Sequence, residues 1–307
     1  MEKMKTDVYE KYELPKLLKL TKVLKPVPRA DEMCIQINAI GITASDVFNR
    51  NSHNPLRKKL PMRFAFGVFK SKKRTMGLVF SGVIDSVGQG VKRFKVGDEV
   101  YGIPDYNFGT YAKYLCFKET DSQMGCIAVK PTNLTHEEAA VIAFSGLLAL
   151  QQIENANLQK GQKVLIYETF GTSGALAIQM AKHIGAEVTG VCSSSNIEMM
   201  NEIGVDKVID YTKQHTLPHG ETYDLILDTE EKFKKSKLKR ACKKALKPNG
   251  RYLCIDDSAL LLDSKRLDKI TKLIEIGHLK PVMDKIYPLE EIVYSCRCIE
   301  TEHKKAR

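Results

Sequence analysis

The chain has 307 residues, of which 43% are hydrophobic and 28% charged, a composition typical of a globular protein large enough for two domains. No run of about 18 apolar residues occurs, so we expect neither a membrane-spanning helix nor a membrane partner. The first residues carry acids and lack the apolar core of a signal peptide, and none of the eight cysteines forms a CxxC pair, so we predict a reduced, cytoplasmic protein.

The net charge of +11 is concentrated in two basic stretches, 56–74 and 231–248, and in the last residues. The second stretch has apolar residues at helical spacing: Leu238, Ala241, Cys242 and Ala245. This spacing predicts a helix whose lysines lie on an ordinary solvated face. The chain lacks the aromatic motif of RNA-recognition domains and the spacing of zinc fingers. We therefore expect no nucleic-acid partner, and RNA binding by the basic stretches stays only as an alternative to test.

The first part of the chain predicts short β-strands. Apolar and polar residues alternate over 32–43, and 77–91 is rich in β-branched residues before a glycine-rich turn. A Gly-Asp turn precedes an apolar strand within 94–104. Many short strands separated by glycines predict a small β-rich barrel or sandwich.

The pattern changes after residue 134 to helices alternating with strands. Residues 135–158 begin with a threonine cap and two acids, then show the apolar spacing of a helix. The elements that follow are strand 163–167, helix 172–185, strand 187–193, helix 196–204, strand 207–211, strand 223–229, the lysine-rich helix and strand 250–256. Apolar strands alternating with helices predict a parallel, doubly wound sheet.

The segment YETFGTSGALAIQMAK, residues 167–182, joins the first of these strands to its helix. In a doubly wound sheet this turn is the natural phosphate site, because its backbone amides and the helix dipole face an anion. Gly171 and Gly174 lie three apart, as a close approach of backbone to pyrophosphate requires. The segment therefore predicts a dinucleotide loop or the descendant of one. The alternative is a helix start whose glycines serve only packing.

The end of the second strand indicates which dinucleotide is bound. An NAD-specific site usually has an acid at this position, which binds the ribose hydroxyls. Here the sequence is GVCSSSN, residues 190–196, and it contains no acid. Hydroxyl groups without a carboxylate leave room for a 2′-phosphate, so NADPH is favoured over NADH. No arginine or lysine lies in this turn to strengthen the inference.

Motifs along nearly the whole chain resemble the medium-chain dehydrogenase/reductase superfamily, in particular its zinc-free quinone oxidoreductase-like branch, which is related to zeta-crystallin. In chain order they include AIGITASDVFNR (39–50), SGVIDSVGQGVKRFKVGDEVYG (81–102), EEAAVIAFSGLLAL (137–150), the glycine loop with its helix, YDLILDT (223–229) and LKPNGRYL (246–253). The resemblance implies a GroES-like catalytic domain over 1–134, completed by about 280–307, and a Rossmann dinucleotide-binding domain over 135–279.

The resemblance also implies functional residues. Those of the pyrophosphate loop are Gly171, Thr172, Ser173 and Gly174, and those near the 2′-phosphate and adenosine ribose are Ser193, Ser194 and Tyr211. The active-site mouth would be lined by Thr43, Asp46, Phe48 and Arg50. Because Asp46 and Arg50 are four residues apart, a simple local ion pair is the alternative for them.

Zinc-binding members of the superfamily have a cysteine where this chain has Thr43, and a histidine and glutamate where Leu78 and Val79 follow Gly77. The four-cysteine structural lobe is also missing from the sequence. A zinc site needs three or four nitrogen, sulfur or carboxylate ligands, so we expect no zinc. The resemblance then implies hydride transfer from NADPH to a quinone, enone or other carbonyl compound, with a proton from solvent or a weak donor.

The chain also departs from the family in its loops. Five acidic residues stand where the family has small or apolar ones: Glu168, Glu230, Glu231, Asp256 and Asp257. One carboxylate about 6 Å from a pyrophosphate costs about 2–3 kcal/mol at an effective dielectric constant near 20. In addition, Leu148 replaces the small residue that faces the nicotinamide. These departures leave a second hypothesis, a catalytically impaired or non-enzymatic relative that acts as a binding protein.

The segment after the GRYL strand is shorter than in the family and lacks the edge strand often used for dimerisation. We therefore expect a Rossmann sheet with a shortened C-terminal edge. A homodimer is possible, but the usual strand for it is missing.

Overall fold

The structure is a computed structural model that describes residues 3–8, 19–42, 77–104, 109–119, 121, 125–167, 171–229, 237–255, 257–283 and 285–305. The chain divides into two compact units. The first comprises Met1–Ala143, Leu262–Lys265 and Asp284–Arg307, and the second comprises Phe144–Leu261 and Arg266–Met283.

The strands in chain order are β1 (Lys3–Val8), β2 (Lys19–Leu24), β3 (Glu32–Gly41), β4 (Val79–Val87), β5 (Glu99–Ile103), β6 (Tyr114–Lys118), β7 (Cys126–Val129), β8 (Lys163–Tyr167), β9 (Glu187–Cys192), β10 (Lys207–Asp210), β11 (Tyr223–Asp228) and β12 (Leu246–Cys254). The α-helices are α1 (His136–Ala156), α2 (Thr172–Ile184), α3 (Ile197–Glu202), α4 (Lys237–Lys244), α5 (Ser264–Glu275) and α6 (Ile292–Lys305). Two 3₁₀ turns, Ser194–Asn196 and Leu289–Glu291, precede α3 and α6. No helix within these ranges is long and apolar enough to cross a membrane.

The first unit is built on antiparallel sheets, as the short glycine-punctuated strands predicted. Its main sheet has the order β6-β3-β4-β5-β7, and β1 pairs with β2 in a separate ribbon. Alternate side chains such as Met33, Ile35 and Phe80 form a buried cluster on one face. A Cβ atom at Gly82 would lie 2.2 Å from the carbonyl oxygen of Gln36, so this strand position tolerates only glycine.

The second unit contains a parallel sheet with the order β10-β9-β8-β11-β12, which confirms the predicted doubly wound domain. Tyr167 at the end of β8 is in register with Val191 on β9 and with Asp228 on β11. The strands run in one direction, so their carboxyl ends share one edge of the sheet. Among the described strands the sheet ends at β12, in agreement with the expected shortened edge.

The strand β12 begins four residues earlier than predicted. Leu246 pairs with Tyr223, and the next paired residues are Arg251 and Leu225, so a bulge lies between the two pairs. The bulge contains the sequence Lys-Pro-Asn-Gly, residues 247–250, most of which lies before the predicted start of the strand.

The lysine-rich helix α4 corrects one expectation. Leu238 and Cys242 are buried as predicted. However, Lys239 is not on a solvated face, because it is 5% exposed and lies against the sheet. Its partner is a buried carboxylate at the end of β11, described below. The prediction of a wholly solvated lysine face is therefore wrong at this position, because helical spacing cannot show that a buried acid lies opposite.

Candidate functional site

The carboxyl edge of the parallel sheet brings together the ends of β8 to β12. The last residues of these strands are Tyr167, Cys192, Asp210, Asp228 and Cys254. Pairing places Asp210 beside Cys192 and Asp228 beside both Tyr167 and Cys254. This is the edge at which doubly wound sheets bind their ligands.

The helix α2 begins at this edge with an open N-terminus. Its N-cap is Gly171 in extended conformation, and within the described ranges no side chain forms a capping hydrogen bond to the helix. Among the described residues other than its chain neighbours, none has a heavy atom within 4 Å of the position that a Cβ of Gly171 would occupy. The first-turn amides and the positive end of the helix dipole therefore face space that an anion can enter.

The other predicted loop residues play different parts. Gly174 is buried in the first turn of α2. The hydroxyl group of Thr172 donates to the carbonyl oxygen of Val282 at 3.2 Å, so in this structure it secures the helix start to the segment after α5. Ser173 is half-buried. Because its hydroxyl is used in this contact, Thr172 can contribute to anion binding through its backbone amide.

The end of β9 presents a row of hydroxyl groups. Ser193 and Ser195 share a hydrogen bond of 2.8 Å between their Oγ atoms. The Ser194 hydroxyl donates to Asp210 Oδ2 at 2.5 Å and lies 2.9 Å from Thr212 Oγ1. Sequence reasoning overlooked Asn196, whose Nδ2 atom is buried and has no hydrogen-bond acceptor among the described residues. A buried donor without an acceptor is unfavourable, so the Asn196 amide would gain from an acceptor that a ligand brings.

Asp210 organises the loop after β10. Its carboxylate accepts hydrogen bonds from Ser194 and, at 2.9 and 2.6 Å, from the backbone amide and hydroxyl of Thr212. The Ser194 bond first, and the Thr212 hydroxyl second, lower the pKa of Asp210 to about 2. Tyr211, the predicted ribose contact, donates its amide to Cys192 and packs against the core cluster of the sheet.

A cation also belongs to this cluster, although no basic residue lies in the 190–196 turn. Lys213 Nζ is 3.6 Å from Asp210 Oδ2, and the Lys213 side chain is 73% exposed. It lies only two residues beyond Tyr211, so spacing along the chain could have suggested it. The serine hydroxyls, Thr212 and Lys213 together form a polar cluster with one exposed positive charge at the end of β9 and β10.

A buried ion pair lies at the end of β11. Lys239 Nζ is 2.6 Å from Asp228 Oδ2, with the two side chains 6% and 0% exposed. The hydroxyl of Tyr252 donates to the same carboxylate. Burial, and then this hydrogen bond, raise the pKa of Tyr252. Next along the chain, Thr229 donates its hydroxyl to the carbonyl oxygen of Tyr167 at 3.0 Å, which ties the ends of β8 and β11 together.

One of the five unexpected acids has a structural function. The Asp257 carboxylate accepts the backbone amide of Cys254 at 2.7 Å and so closes the turn after β12. The other four, Glu168, Glu230, Glu231 and Asp256, lie outside the described residues. The predicted mouth residues Thr43, Asp46, Phe48 and Arg50 also lie outside them. Leu148 is 9% exposed on α1.

No group of three or more histidine, cysteine, aspartate or glutamate side chains that could hold a metal ion occurs among the described residues. Leu78 and Val79, at the positions where zinc-binding relatives have ligands, are 2% and 1% exposed parts of the apolar core.

Two family models match the chain. The model for the alcohol dehydrogenase GroES-like domain matches residues 29–124, and the model for the zinc-binding dehydrogenase domain matches residues 174–255. The first match lies in the β-rich unit and the second in the unit with the parallel sheet, which confirms a GroES-like domain followed by a Rossmann domain.

Similar proteins extend over almost the whole chain. The 2-methylene-furan-3-one reductase of Solanum lycopersicum is 27% identical over 97% of this chain and 76% of its own length. The chloroplastic NADPH-dependent alkenal/one oxidoreductase of Arabidopsis thaliana is 25% identical over 98% of this chain and 77% of its own. The solved quinone oxidoreductase from Coxiella burnetii has the same fold, with a TM-score of 0.78 and 24% identity over 98% of this chain and 97% of its own. The chain therefore belongs to the medium-chain dehydrogenase/reductase superfamily, in its quinone oxidoreductase-like branch.

Proposed function

We propose that this protein is an NADPH-dependent oxidoreductase that reduces a quinone, an enone or another carbonyl compound without a metal ion. The observation that carries the proposal is the open, uncapped start of α2 beside a cluster of hydroxyls and one lysine at the ends of β9 and β10. Membership of an oxidoreductase family supports the reaction class, and the names of the relatives support the cofactor and substrate classes.

The start of α2 fits a pyrophosphate. The space beside Gly171, as far as the described residues define it, lets the pyrophosphate approach the backbone amides of Gly171 to Gly174. No described side chain accepts a capping hydrogen bond from these amides. Gly174 is buried, as expected where helix and sheet must pack closely. A pyrophosphate needs hydrogen-bond donors and a positive dipole, and this segment supplies both.

The polar cluster at the end of β9 and β10 offers the hydrogen-bond donors that a 2′-phosphate needs. Ser193, Ser194 and Thr212 offer hydroxyls, and Lys213 offers a charge that can move, because its side chain is largely exposed. The Asp210 carboxylate opposes the anion, but its hydrogen bonds from Thr212 remain when Ser194 turns outward. Lys213 would then lie between two anions and hold both.

Bound NADPH supplies the hydride. The described residues bind and orient the cofactor. The α2 amides hold its pyrophosphate, and the hydrogen bonds from Thr229 to the carbonyl oxygen of Tyr167 keep the ends of β8 and β11 fixed beside it. The family resemblance implies that the mouth where the acceptor enters is lined by Thr43, Asp46, Phe48 and Arg50. Reduction of a conjugated carbonyl adds the hydride to carbon and a proton to the resulting enolate or hydroquinone oxygen, and we assign that proton to solvent or a weak donor.

A direct titration of the purified protein with NADPH and with NADH, at low and at moderate salt, tests the proposal. We expect NADPH to bind more tightly, with a preference that decreases as salt rises, because the 2′-phosphate meets an exposed charge. Lys213→Ala should weaken NADPH about five- to tenfold and leave NADH unchanged. Lys244→Ala, an exposed lysine on α4, is the matched control and should change neither.

An acceptor screen with quinones and enones follows the titration. NADPH oxidation with such acceptors in protein treated with a chelator would support the metal-free reaction. No binding even at millimolar NADPH would overturn the proposal and favour the non-enzymatic binding protein. Equal affinity for NADH and NADPH would overturn only the preference that we assign to the cluster.

A further inference from the structure

Two cysteines lie directly opposite each other in the antiparallel sheet of the first unit. Cys34 on β3 is in register with Cys116 on β6. Cα atoms of residues directly opposite in antiparallel strands are about 4.5–5.5 Å apart, and those of disulfides are usually about 4.4–6.8 Å apart. The two sulfur atoms can therefore be joined without moving the strands.

We propose that Cys34 and Cys116 form a redox-active dithiol that closes into an intramolecular disulfide when it reacts with a hydroperoxide such as hydrogen peroxide. This modification site is separate from the dinucleotide site of the proposed function and requires no nicotinamide cofactor. All residues that carry it lie in the first unit.

The environment of the pair favours a nucleophilic sulfur. The hydrogen bond from the Cys116 thiol is the main reason why the pKa of Cys34 is lowered, and the positive charge of Lys25 acts in the same direction. Burial and the Asp85 carboxylate oppose them. Lys25 is fixed there, with Nζ 2.9 Å from Asp85 Oδ1 and 4.2 Å from the centre of the Tyr114 ring. The thiolate is the form that attacks peroxides and disulfides.

The two cysteines differ in access. β6 is the first strand in the order of its sheet, and Cys116 on it is half-buried. Cys34 lies one strand inside, is fully buried, and has its sulfur 3.8 Å from the carbonyl oxygen of Pro26. The hydrogen bond to Cys34, and then burial, raise the pKa of Cys116, so the charge of the monothiolate rests mainly on Cys34. Transfer of the proton from Cys116 to Cys34 along this hydrogen bond places the charge on the more accessible sulfur when the oxidant arrives.

The reaction balances in two steps. The Cys116 sulfur attacks one peroxide oxygen, an S–O bond forms, the O–O bond breaks, and the leaving hydroxide takes a proton to become water. The Cys34 sulfur then attacks the sulfenic sulfur of Cys116, the S–S bond forms and the S–O bond breaks, which releases a second water. Two thiols are oxidised and one hydrogen peroxide is reduced, so no other reactant is needed.

The remaining cysteines lack this arrangement. In the part of the chain that is described, no other two cysteines face each other across paired strands. Cys126 lies in the same sheet on β7, where burial raises the pKa of its thiol to about 12. Burial also raises the pKa of the Cys242 thiol to about 12. These two thiols are expected to react slowly, so Cys126 serves as the control position.

Peptide mapping tests the proposal directly. The full-length protein is treated with a small excess of hydrogen peroxide, its remaining thiols are alkylated, and it is digested with trypsin without reduction. Cleavage after basic residues releases Cys34 in 30–50 and Cys116 in 114–118. We expect these two peptides linked, with a mass about 2 Da below their sum because two hydrogens are lost, and separate again after dithiothreitol.

Variants decide between this disulfide and general thiol oxidation. Cys116→Ser and Cys34→Ala should each abolish the linked peptide, and Cys34→Ala should leave a sulfenic acid on Cys116 that dimedone traps. Cys126→Ser should form the linked peptide as the wild type does. Peptides 30–50 and 114–118 that stay unlinked while other cysteines oxidise would overturn the proposal. Circular dichroism on each variant shows whether the fold is kept, and Cys116→Ser, at a half-buried position, tests the link if Cys34→Ala does not fold.

Discussion

Lys239 and Asp228 form an ion pair in the interior of the second unit, with Nζ 2.6 Å from Oδ2 and both side chains almost fully buried. Two charges taken out of water lose several kcal/mol of hydration each, so the pair depends on close contact and on further hydrogen bonds. Tyr252 supplies one such bond to Asp228, and the ring of Tyr167 lies 5.8 Å from the Lys239 ammonium. The pair joins α4 to the carboxyl end of β11, next to the proposed cofactor site.

Removal of one member of this pair should destabilise the fold strongly. Lys239→Met leaves a buried carboxylate without its cation, and we expect the free energy of unfolding in urea to fall by about 3–5 kcal/mol. The double variant Asp228→Asn with Lys239→Met should regain most of this loss, because no unpaired charge remains. Lys244→Ala on the exposed face of α4 should change stability by less than about 0.5 kcal/mol. If the loss of stability in the double variant equals the sum of the losses in Lys239→Met and in Asp228→Asn alone, the ion pair is contradicted.

The sequence predicted the elements of the second unit better than their side-chain contacts. The apolar run of β8 was predicted with its observed bounds, 163–167, and α2 ends where Gly185 adopts a left-handed φ of 90°. Local pattern is sufficient for these because strand and helix formation depend on neighbouring residues. The partners of Lys239 and Lys213 were not predicted, because both contacts depend on where strands end relative to one another in the folded sheet.

The register between strands that are distant in sequence could not be predicted from the residue pattern either. Cys34 and Cys116 are opposite only because β6 pairs with β3, and their sequences do not indicate this pairing. Similarly, Lys-Pro-Asn-Gly has the composition of a turn, yet the pairing of Leu246 with Tyr223 extends β12 across it. The cofactor glycines could be predicted because the conformation they require is local.

Asp210 should make stability depend on acid. Its folded pKa of about 2 is below the value of about 3.9 for an unfolded aspartate, so only the unfolded chain takes up a proton between these values. The stabilising contribution is complete above about pH 4–5 and is lost as the pH falls toward 2. Asp210→Asn should therefore have a lower Tm than the wild type at pH 7, and the difference should shrink on acidification. A constant difference in Tm from pH 7 to pH 3 would refute this role.

His136 should act in a higher pH range. Its Nδ1 is 2.8 Å from the buried Ser81 hydroxyl and its Nε2 is 3.5 Å from Glu99 Oε1, while Lys130 Nζ lies 3.3 Å from Glu99 Oε2. Burial is the main cause that lowers the pKa of His136, and Lys130 adds to it against the opposing charges of Glu99 and Glu137. Below about 6.5, the ordinary histidine pKa, the unfolded chain binds a proton that the folded protein resists.

Stability of the wild type should consequently decrease as the pH falls below about 6.5, until the lowered pKa of His136 is reached. Thermal unfolding between pH 7.5 and 5.5 measures this. His136→Asn keeps a polar group near Ser81 but cannot be protonated, so its Tm should vary less over this range. The exposed His219 is the control, and His219→Gln should retain the pH dependence of the wild type. Identical profiles for His136→Asn and the wild type would assign the dependence to other groups.

Gly171 should be required for the cofactor and not for the fold. Its φ and ψ of −117° and 161° are open to any residue, and a Cβ there would have no heavy atom within 4 Å from the part of the chain that is described, its chain neighbours aside. Gly171→Ala should thus change the free energy of unfolding by less than about 0.5 kcal/mol. The same methyl group would occupy the space over the α2 amides, so NADPH affinity should fall about tenfold or more.

Gly185→Ala, at the other end of α2, is the control, because it forces a side chain into a left-handed φ of 90°. It should lower the free energy of unfolding by about 1 kcal/mol and leave NADPH affinity unchanged. Unchanged NADPH affinity in a folded Gly171→Ala variant would place the pyrophosphate away from the start of α2.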